Sequence, residues 1–389
     1  MDKQADVKNK NKPASELWKN RFFFVIFFCI WMIIVVWNLL TPSKVFSEME
    51  NRQLASWPKF TVPTLLDGEY MDNVNTYLND QFAGKDIWIP SQSLIEYGLG
   101  KRENNNVFLG KNALIGDIEP KDETIVQDNI QGINAFVQQY PNIQAYVALV
   151  PGAGTIQSQK LPPFATEWDE GAMIQEVYQQ LESGIESVNL SDTLLEHNQE
   201  YIFYRTDHHW TTYGAFLAYQ QIADMMGLPV YQQSDFEITP LSTDFLGTYH
   251  SKTGFPLVKK DEMELYQMGT AVKYEVFDGA QTVEYDSPFF AEFLEKKDKY
   301  SYFLGQVQPA TKIYTQAQTG KKLIIFKDSY AHCLTPMLMD QYSEILLVDL
   351  RYFNMPDPVA YLEAQEYDDA LFLYSVDTFS HQKLTSKLA

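Results

Sequence analysis

The chain has 389 residues, 45% hydrophobic and 21% charged, enough for one large or two ordinary domains, and this composition excludes wholesale disorder. The formal net charge is −21; residues 1–21 hold six basic and three acidic side chains, so the remainder holds 24 against 48. A body that acidic repels a phosphate backbone, which argues against a nucleic-acid partner.

Residues 22–40 carry no charge. Nineteen residues at ~1.5 Å each make about 28 Å of helix, close to the ~30 Å hydrocarbon core of a bilayer. The run is longer than a signal-peptide core, and Asn38-Leu39-Leu40-Thr41-Pro42 offers no small-residue cleavage site, so an uncleaved anchor is expected. The basic flank precedes it, which predicts a cytoplasmic N-terminus and an extracytoplasmic body. Four parts follow: a tail over 1–20, an anchor over 21–40, a juxtamembrane segment over 41–100 with turn signals at Pro58, Pro63 and Gly68, and a domain of alternating strands and helices over 101–389.

Within the last part, short apolar runs at 142–150, 201–204, 323–326, 345–350 and 370–374 predict strands. Val126, Ile130, Ile133, Val137 and Tyr140 form a helical stripe, as do Ile174, Val177, Leu181 and Ile185. Phe216, Tyr219, Ile222 and Met226 form a third, closed by Gly227 and Pro229. This alternation predicts an α/β fold with a mostly parallel sheet in three layers. Residues near 230–310 break the pattern and read as an insertion of loops and short strands. Two cysteines, Cys29 and Cys333, support neither a disulfide framework nor a cysteine zinc site.

Two stretches carry chemistry. Tyr204-Arg205-Thr206-Asp207-His208-His209-Trp210-Thr211 sits between a predicted strand and a helix capped by Thr211 or Thr212. Asp207 and His209, two apart, project to one side of extended backbone, where a carboxylate orients an imidazole. A histidine bonding only locally at a strand end is the plainer alternative. Leu323-Ile324-Ile325-Phe326-Lys327-Asp328-Ser329-Tyr330 runs an apolar strand into a helical turn, where a serine hydroxyl stands beside free amide groups. The plainer reading is that Asp328 or Ser329 is a helix cap. His332, one turn after Ser329, and His250 are candidates to line a cleft, with packing and loop roles favoured. Gly152-Ala153-Gly154 lacks the Lys and Ser/Thr of a phosphate loop.

Asp-His-His-Trp together with the Asp-Ser-Tyr strand end resembles the DHHW protein family, itself similar to SGNH-hydrolase-like polysaccharide O-acetyltransferases such as the alginate acetyltransferases of the periplasm. Ser47-Glu48-Met49-Glu50-Asn51-Arg52, Asn79-Asp80-Gln81-Phe82, Val107-Phe108-Leu109-Gly110-Lys111 and Val150-Pro151 with Lys160-Leu161-Pro162 share that resemblance. It implies an SGNH-like sheet in circularly permuted order, with Ser329 as nucleophile, His209 as base and Asp207 as its orienting carboxylate. His208 is outside that triad. The strands after Ser329 end at Asp349-Leu350-Arg351-Tyr352 and Tyr374-Ser375-Val376-Asp377, where SGNH hydrolases carry oxyanion-hole Gly and Asn; Tyr330 N–H and the Arg351 guanidinium are the candidate donors instead. The implied function is a membrane-anchored O-acetyltransferase acting on a cell-surface polysaccharide. It needs no cofactor or metal, and its acetyl groups come from a membrane-bound O-acyltransferase partner. An esterase with the same triad, a metal-dependent phosphoesterase and a non-catalytic envelope module are the alternatives.

Overall fold

The structure, a computed structural model, describes residues 14–166, 168–353 and 366–388. The expected tail lies outside the described residues as far as residue 13. The chain divides into two compact units, Met1–Ile89 and Pro90–Ala389.

In the first unit the apolar run forms one helix, Ala14–Leu40; its Arg21–Leu40 stretch, with a mean hydropathy of 2.7, is long and apolar enough to cross a bilayer. Beyond it, two of the quoted motif stretches meet. The Arg52 guanidinium grips Asp80 through contacts of 2.5 and 3.0 Å and also pairs with Glu50, which pairs in turn with Lys85 at 2.7 Å. The Arg52 hydrogen bonds hold the Asp80 carboxyl at about 2, against the cost of burial. Gln81 exchanges two 2.8 Å hydrogen bonds with the Lys44 backbone, and the Ala83 amide donates to Asn38 Oδ1 at 2.9 Å. Residues far apart in sequence thus clamp the chain as it leaves the helix.

The second unit is built on an eight-stranded sheet: β1 (Gln144–Val150), β2 (Ile185–Ser187), β3 (Ala271–Phe277), β4 (Thr282–Tyr285), β5 (Ala310–Thr315), β6 (Lys322–Lys327), β7 (Glu344–Val348) and β8 (Asp369–Ser375). Their spatial order is β4-β3-β5-β7-β6-β8-β1-β2. The five strands from β7 to β2 pair in parallel, while β5, β3 and β4 extend the sheet with antiparallel pairings. The sheet is therefore mixed: β3 and β4, from the segment read as an insertion, join its edge. The rest of the insertion includes a hairpin of Glu237–Phe245 with Asp261–Gln267.

Strand residues alternate between two cores, as period-2 geometry demands. Leu323, Ile325, Leu371 and Leu373 pack with helix Thr212–Met225 on one face. Ile324, Phe326, Ala370 and Phe372 pack on the other against Val126, Ile130, Ile133 and Phe136 of helix Glu123–Gln139 and against Met173, Ile174 and Val177. Three layers result. The helix of the second stripe is shorter than its apolar spacing predicts: Glu170–Gln179 ends before Leu181, and Ile185 opens β2. The run at 201–204 forms no sheet strand; one antiparallel bridge, Phe203 to Trp210, closes it into a turn.

Candidate active site

Ser329 follows the carboxyl end of β6, and the ends of β1, β7 and β8 lie beside it, where open α/β sheets gather their ligands. Asp328 ties the loop to β8: its Oδ2 accepts from the Ser375 amide at 2.8 Å and the Ser375 hydroxyl at 2.7 Å, and its Oδ1 accepts from Tyr330 N–H at 2.9 Å. Asp328 is thus more than a helix cap. It fixes the backbone on both sides of Ser329.

His209 reaches the same place from a turn, not from a strand end. Tyr204 N–H donates to His209 O at 3.2 Å and Thr211 N–H to Ile202 O at 2.9 Å, so residues 204–209 fold back on themselves. Asp207 Oδ1 accepts from the His209 amide at 3.1 Å, an Asx turn that sets the two side chains side by side. The expected i, i+2 pairing is present, but a side-chain turn produces it in place of extended backbone. The next helix is capped by Thr211, whose hydroxyl accepts from Gly214 N–H at 3.1 Å.

The three groups form a relay. His209 Nδ1 lies 2.6 Å from Asp207 Oδ1, and His209 Nε2 lies 2.7 Å from Ser329 Oγ. Asp207 can only accept, so Nδ1 carries the proton and the Nε2 lone pair faces the serine hydroxyl. Burial would push the Asp207 carboxyl up; the two imidazoles, the His209 hydrogen bond and the Thr248 amide (2.7 Å to Oδ2) outweigh it and hold the carboxyl far down. Tyr300 stacks on the His209 ring with centroids 3.8 Å apart and donates its hydroxyl to Ser329 O at 3.1 Å. Trp210 Nε1 donates to Tyr330 O at 3.0 Å, and Tyr330 OH donates to His208 O, so the serine loop and the histidine turn are bolted together.

Residues without a signature support the turn. Fully buried Asp261 takes the Thr206 amide at 2.9 Å and the Thr206 hydroxyl at 2.5 Å on one oxygen, and the Arg205 amide at 2.8 Å and Tyr201 OH at 2.6 Å on the other. Gly247 N–H donates to Thr206 Oγ1 at 3.0 Å, and a Cβ on Gly247 would stand 2.2 Å from Asp207 Oδ2. Asp261 and Gly247 lie in the irregular insertion, where no periodicity marks them.

The remaining candidates fall in distinct places. Ser329, Arg351, His208, Tyr330 and Ser375 line a cleft of about 180 Å³. Arg351 is pinned on Asp349 by contacts of 2.8 and 2.6 Å, whereas Tyr330 N–H is already engaged by Asp328. His208 has an exposed edge, yet surrounding protein and neighbouring His209 push its pKa down. His332 is buried behind Tyr300, with Lys327 Nζ donating to its Nε2 at 2.7 Å; burial lowers both groups, Lys327 to about 8. His250 sits outside the cleft, 3.4 Å from Lys297 Nζ.

Asp207, His208 and His209 also offer three metal-ligating atoms within 4.8 Å of one another. Two ligands on one zinc at ~2.1 Å bonds stand about 3.4 Å apart in tetrahedral geometry. The Asp207–His209 pair, at 2.6 Å, is instead hydrogen-bonded and already committed to the serine.

The DHHW-protein family model matches residues 166–348. That span holds both the Asp207 turn and Ser329. The "Probable alginate O-acetylase AlgJ" of Pseudomonas syringae pv. tomato is 24% identical over 232 residues, which cover 56% of this chain and 54% of that protein. The chain thus spans about half the length of this relative. Among solved structures, a DHHW family protein from Eubacterium siraeum matches with a TM-score of 0.63 at 24% identity, over 74% of this chain and 95% of that one. Bacillus cereus PatB1 matches with a TM-score of 0.63 at 19% identity, over 73% and 99%. The resemblance to DHHW proteins therefore holds in sequence and in fold.

Proposed function

We propose that this chain is an extracytoplasmic O-acetyltransferase that modifies a cell-surface polysaccharide through an acyl-serine intermediate. The observation that carries the reading is the unbroken line Asp207–His209–Ser329, with contacts of 2.6 and 2.7 Å. His209 Nε2 takes the Ser329 proton as Oγ attacks the acetyl carbonyl, and Asp207 stabilises the imidazolium that forms. Collapse of the tetrahedral intermediate expels the donor's oxygen, which receives the proton from His209. A sugar hydroxyl then gives its proton to His209, bonds to the acetyl carbon and releases Ser329. Arg351, on the cleft wall, and the Ser329 amide, which meets no acceptor among the described residues, are the oxyanion donors of this reading.

Transfer is favoured over hydrolysis by the likeness to a protein described as an alginate O-acetylase, and a covalent step by the existence of a PatB1 structure with a sulfonyl adduct. The apolar helix supports a single-pass anchor, its basic flank a cytoplasmic N-terminus, and the division into tail, anchor, juxtamembrane segment and catalytic domain follows. One helix carries no acetyl group across a bilayer, so a multispanning O-acyltransferase partner supplies it.

The test is labelling of the full chain with phenylmethylsulfonyl fluoride, read by peptide mass. One sulfonyl group per chain on Ser329, abolished in His209→Ala, is expected. Absence of label on Ser329 under conditions that label a control serine hydrolase removes the covalent mechanism. A phosphatase reporter fused after residue 389 should be active only outside the cytoplasm; activity inside would remove the anchor reading.

A further inference from the structure

Two cavities meet at His208. The inner one is the 180 Å³ cleft that holds Ser329; the outer one measures about 470 Å³. Gly116, Ile118, His208, Tyr249 and Asp377 line both, so the two share a wall, and the His208 ring in that wall lies 3.8 Å from the His209 ring. The outer volume falls in the ~300–1,000 Å³ range of sites that enclose small organic ligands.

The outer cavity has a definite charge. Asp117, Glu119 and Asp377 line it against one ammonium, Lys252, and one imidazole outside the shared wall, His381. Asp377 is held by His381 at 3.1 Å. Burial, Glu103 and Glu119 all raise the Asp117 carboxyl, which shows that carboxylates crowd one another along this wall. The one guanidinium of the inner cleft, Arg351, has its charge paired with Asp349, which it holds along one edge. A polymer carrying a carboxylate on each sugar would meet three carboxylates, with only Lys252 and the His381 imidazole, itself held by Asp377, to receive it. A polymer of hydroxyls meets acceptors: carboxylates, the Asn106 and Thr248 side chains, and an imidazole held neutral beside His209.

We propose that the outer cavity is the acceptor subsite, that it takes a glycan segment free of carboxylates, and that His208 holds the acceptor hydroxyl at the shared wall for its approach to the acyl-serine. The proposal rests on the acyl-serine reading above. In the second half-reaction the acceptor oxygen bonds to the acetyl carbon and the Ser329 Oγ–carbon bond breaks. The acceptor proton passes through His209 Nε2 to Ser329; His208 only orients the hydroxyl.

The experiment uses the full chain in non-ionic detergent at low ionic strength, p-nitrophenyl acetate as donor, and two acceptors of equal length, an uncharged β-glucan oligomer and an oligouronate. Acetylated product is quantified by mass spectrometry. The uncharged oligomer is expected to show a kcat/KM at least about 10-fold higher, and Asp117→Asn with Glu119→Gln should narrow that gap to about 3-fold or less by raising the oligouronate rate. His208→Asn should raise the acceptor KM more than it lowers kcat. Equal or better use of the oligouronate by the unaltered chain, or a gap unmoved by the double substitution, overturns the acceptor assignment while p-nitrophenol release shows the triad at work. A chain that releases no p-nitrophenol overturns both readings together.

Discussion

Ser329 and His209 meet at 2.7 Å but come to that contact from unlike supports. Ser329 follows β6, a strand flanked by β7 and β8 in the middle of the sheet, and Asp328, Ser375 and the Tyr300 hydroxyl finish its placement. His209 has no sheet beneath it. Its turn hangs on a buried carboxylate, Asp261, and on the close approach of Gly247. A strand end is positioned by many small, redundant contacts, whereas a turn held by a few polar groups concentrates its dependence on each of them. The histidine side should therefore be the fragile one.

The largest effects test whether the two sides act as one unit. Ser329→Ala and His209→Ala should each lower ester turnover by about 10³-fold or more, and the double variant should add little, because triad members are strongly non-additive. Multiplicative losses would mean the two residues act separately. Next comes the support of the turn. Asp261→Ala strands two amides and two hydroxyls in the interior, and at ~1–3 kcal/mol for each buried group left unpaired, partly relieved by relaxation, a loss of about 3–5 kcal/mol is expected, read as a fall in thermal midpoint along with turnover. A midpoint within a degree of the parent would show that the turn is held by something else.

Gly247→Ala weighs on geometry more than on stability. Its φ of −84° is open to any residue, so the substitution acts through the Cβ set against Asp207. Turnover should drop about 10–100-fold, since displacements near 1 Å at a reacting group cost that much, and crowding Asp207 should cost about 1–3 kcal/mol, a smaller fall in midpoint than that of Asp261→Ala. Retained turnover would show that Asp207 tolerates displacement. On the serine side, Ser375→Ala removes one hydroxyl from Asp328 and the cap of helix Val376–His381, and should cost about 1–2 kcal/mol and a few-fold in rate. A larger effect than that of Asp261→Ala would reverse the comparison.

The smallest effect is on pH. His208, His250 and His332 are held below the ordinary 6.5, the first two at about 4, mainly by burial. Below pH 6.5 the unfolded chain takes up protons that the native one refuses, so this stability is present above 6.5 and is lost as pH falls toward 4. His208→Gln should flatten that decline in midpoint, and an unchanged slope would remove His208 from its cause.

Ser329 was the more legible side for the same physical reason. The apolar run at 323–326 is a local pattern, and a strand that ends in Asp-Ser announces a turn with free amides. In the histidine turn, residue types and spacing pointed to Asp207 with His209, but the run at 201–204 looked like a strand because tyrosines and phenylalanine fill it. In fact those rings pack around the turn: Tyr204 stands edge-on to Phe245 at 5.3 Å and to Tyr300 at 6.3 Å. Asp261 could not be found, because its partners lie 55 residues and more away and a lone aspartate at a strand start carries no signal. β3 and β4 were read only as short strands, since which sheet edge a strand joins is decided by distant pairing and not by its own alternation.

β8 is the last of the sheet strands in chain order, yet it lies between β6 and β1. A chain made from its N-terminus has the histidine turn long before it has β8, and until β8 arrives the strand that leads into Ser329 presents an open edge. Ser375, which steadies Asp328, arrives with that same strand. Closing such distant pairings is slow, because the loop entropy must be met before the contacts reward it. The consequence is an order in time: the surroundings of Ser329 are complete only once the middle of the sheet is filled, last of all. A chain stopped short of residue 369 would leave two inner edges unpaired, exposed to aggregation and proteolysis rather than to substrate.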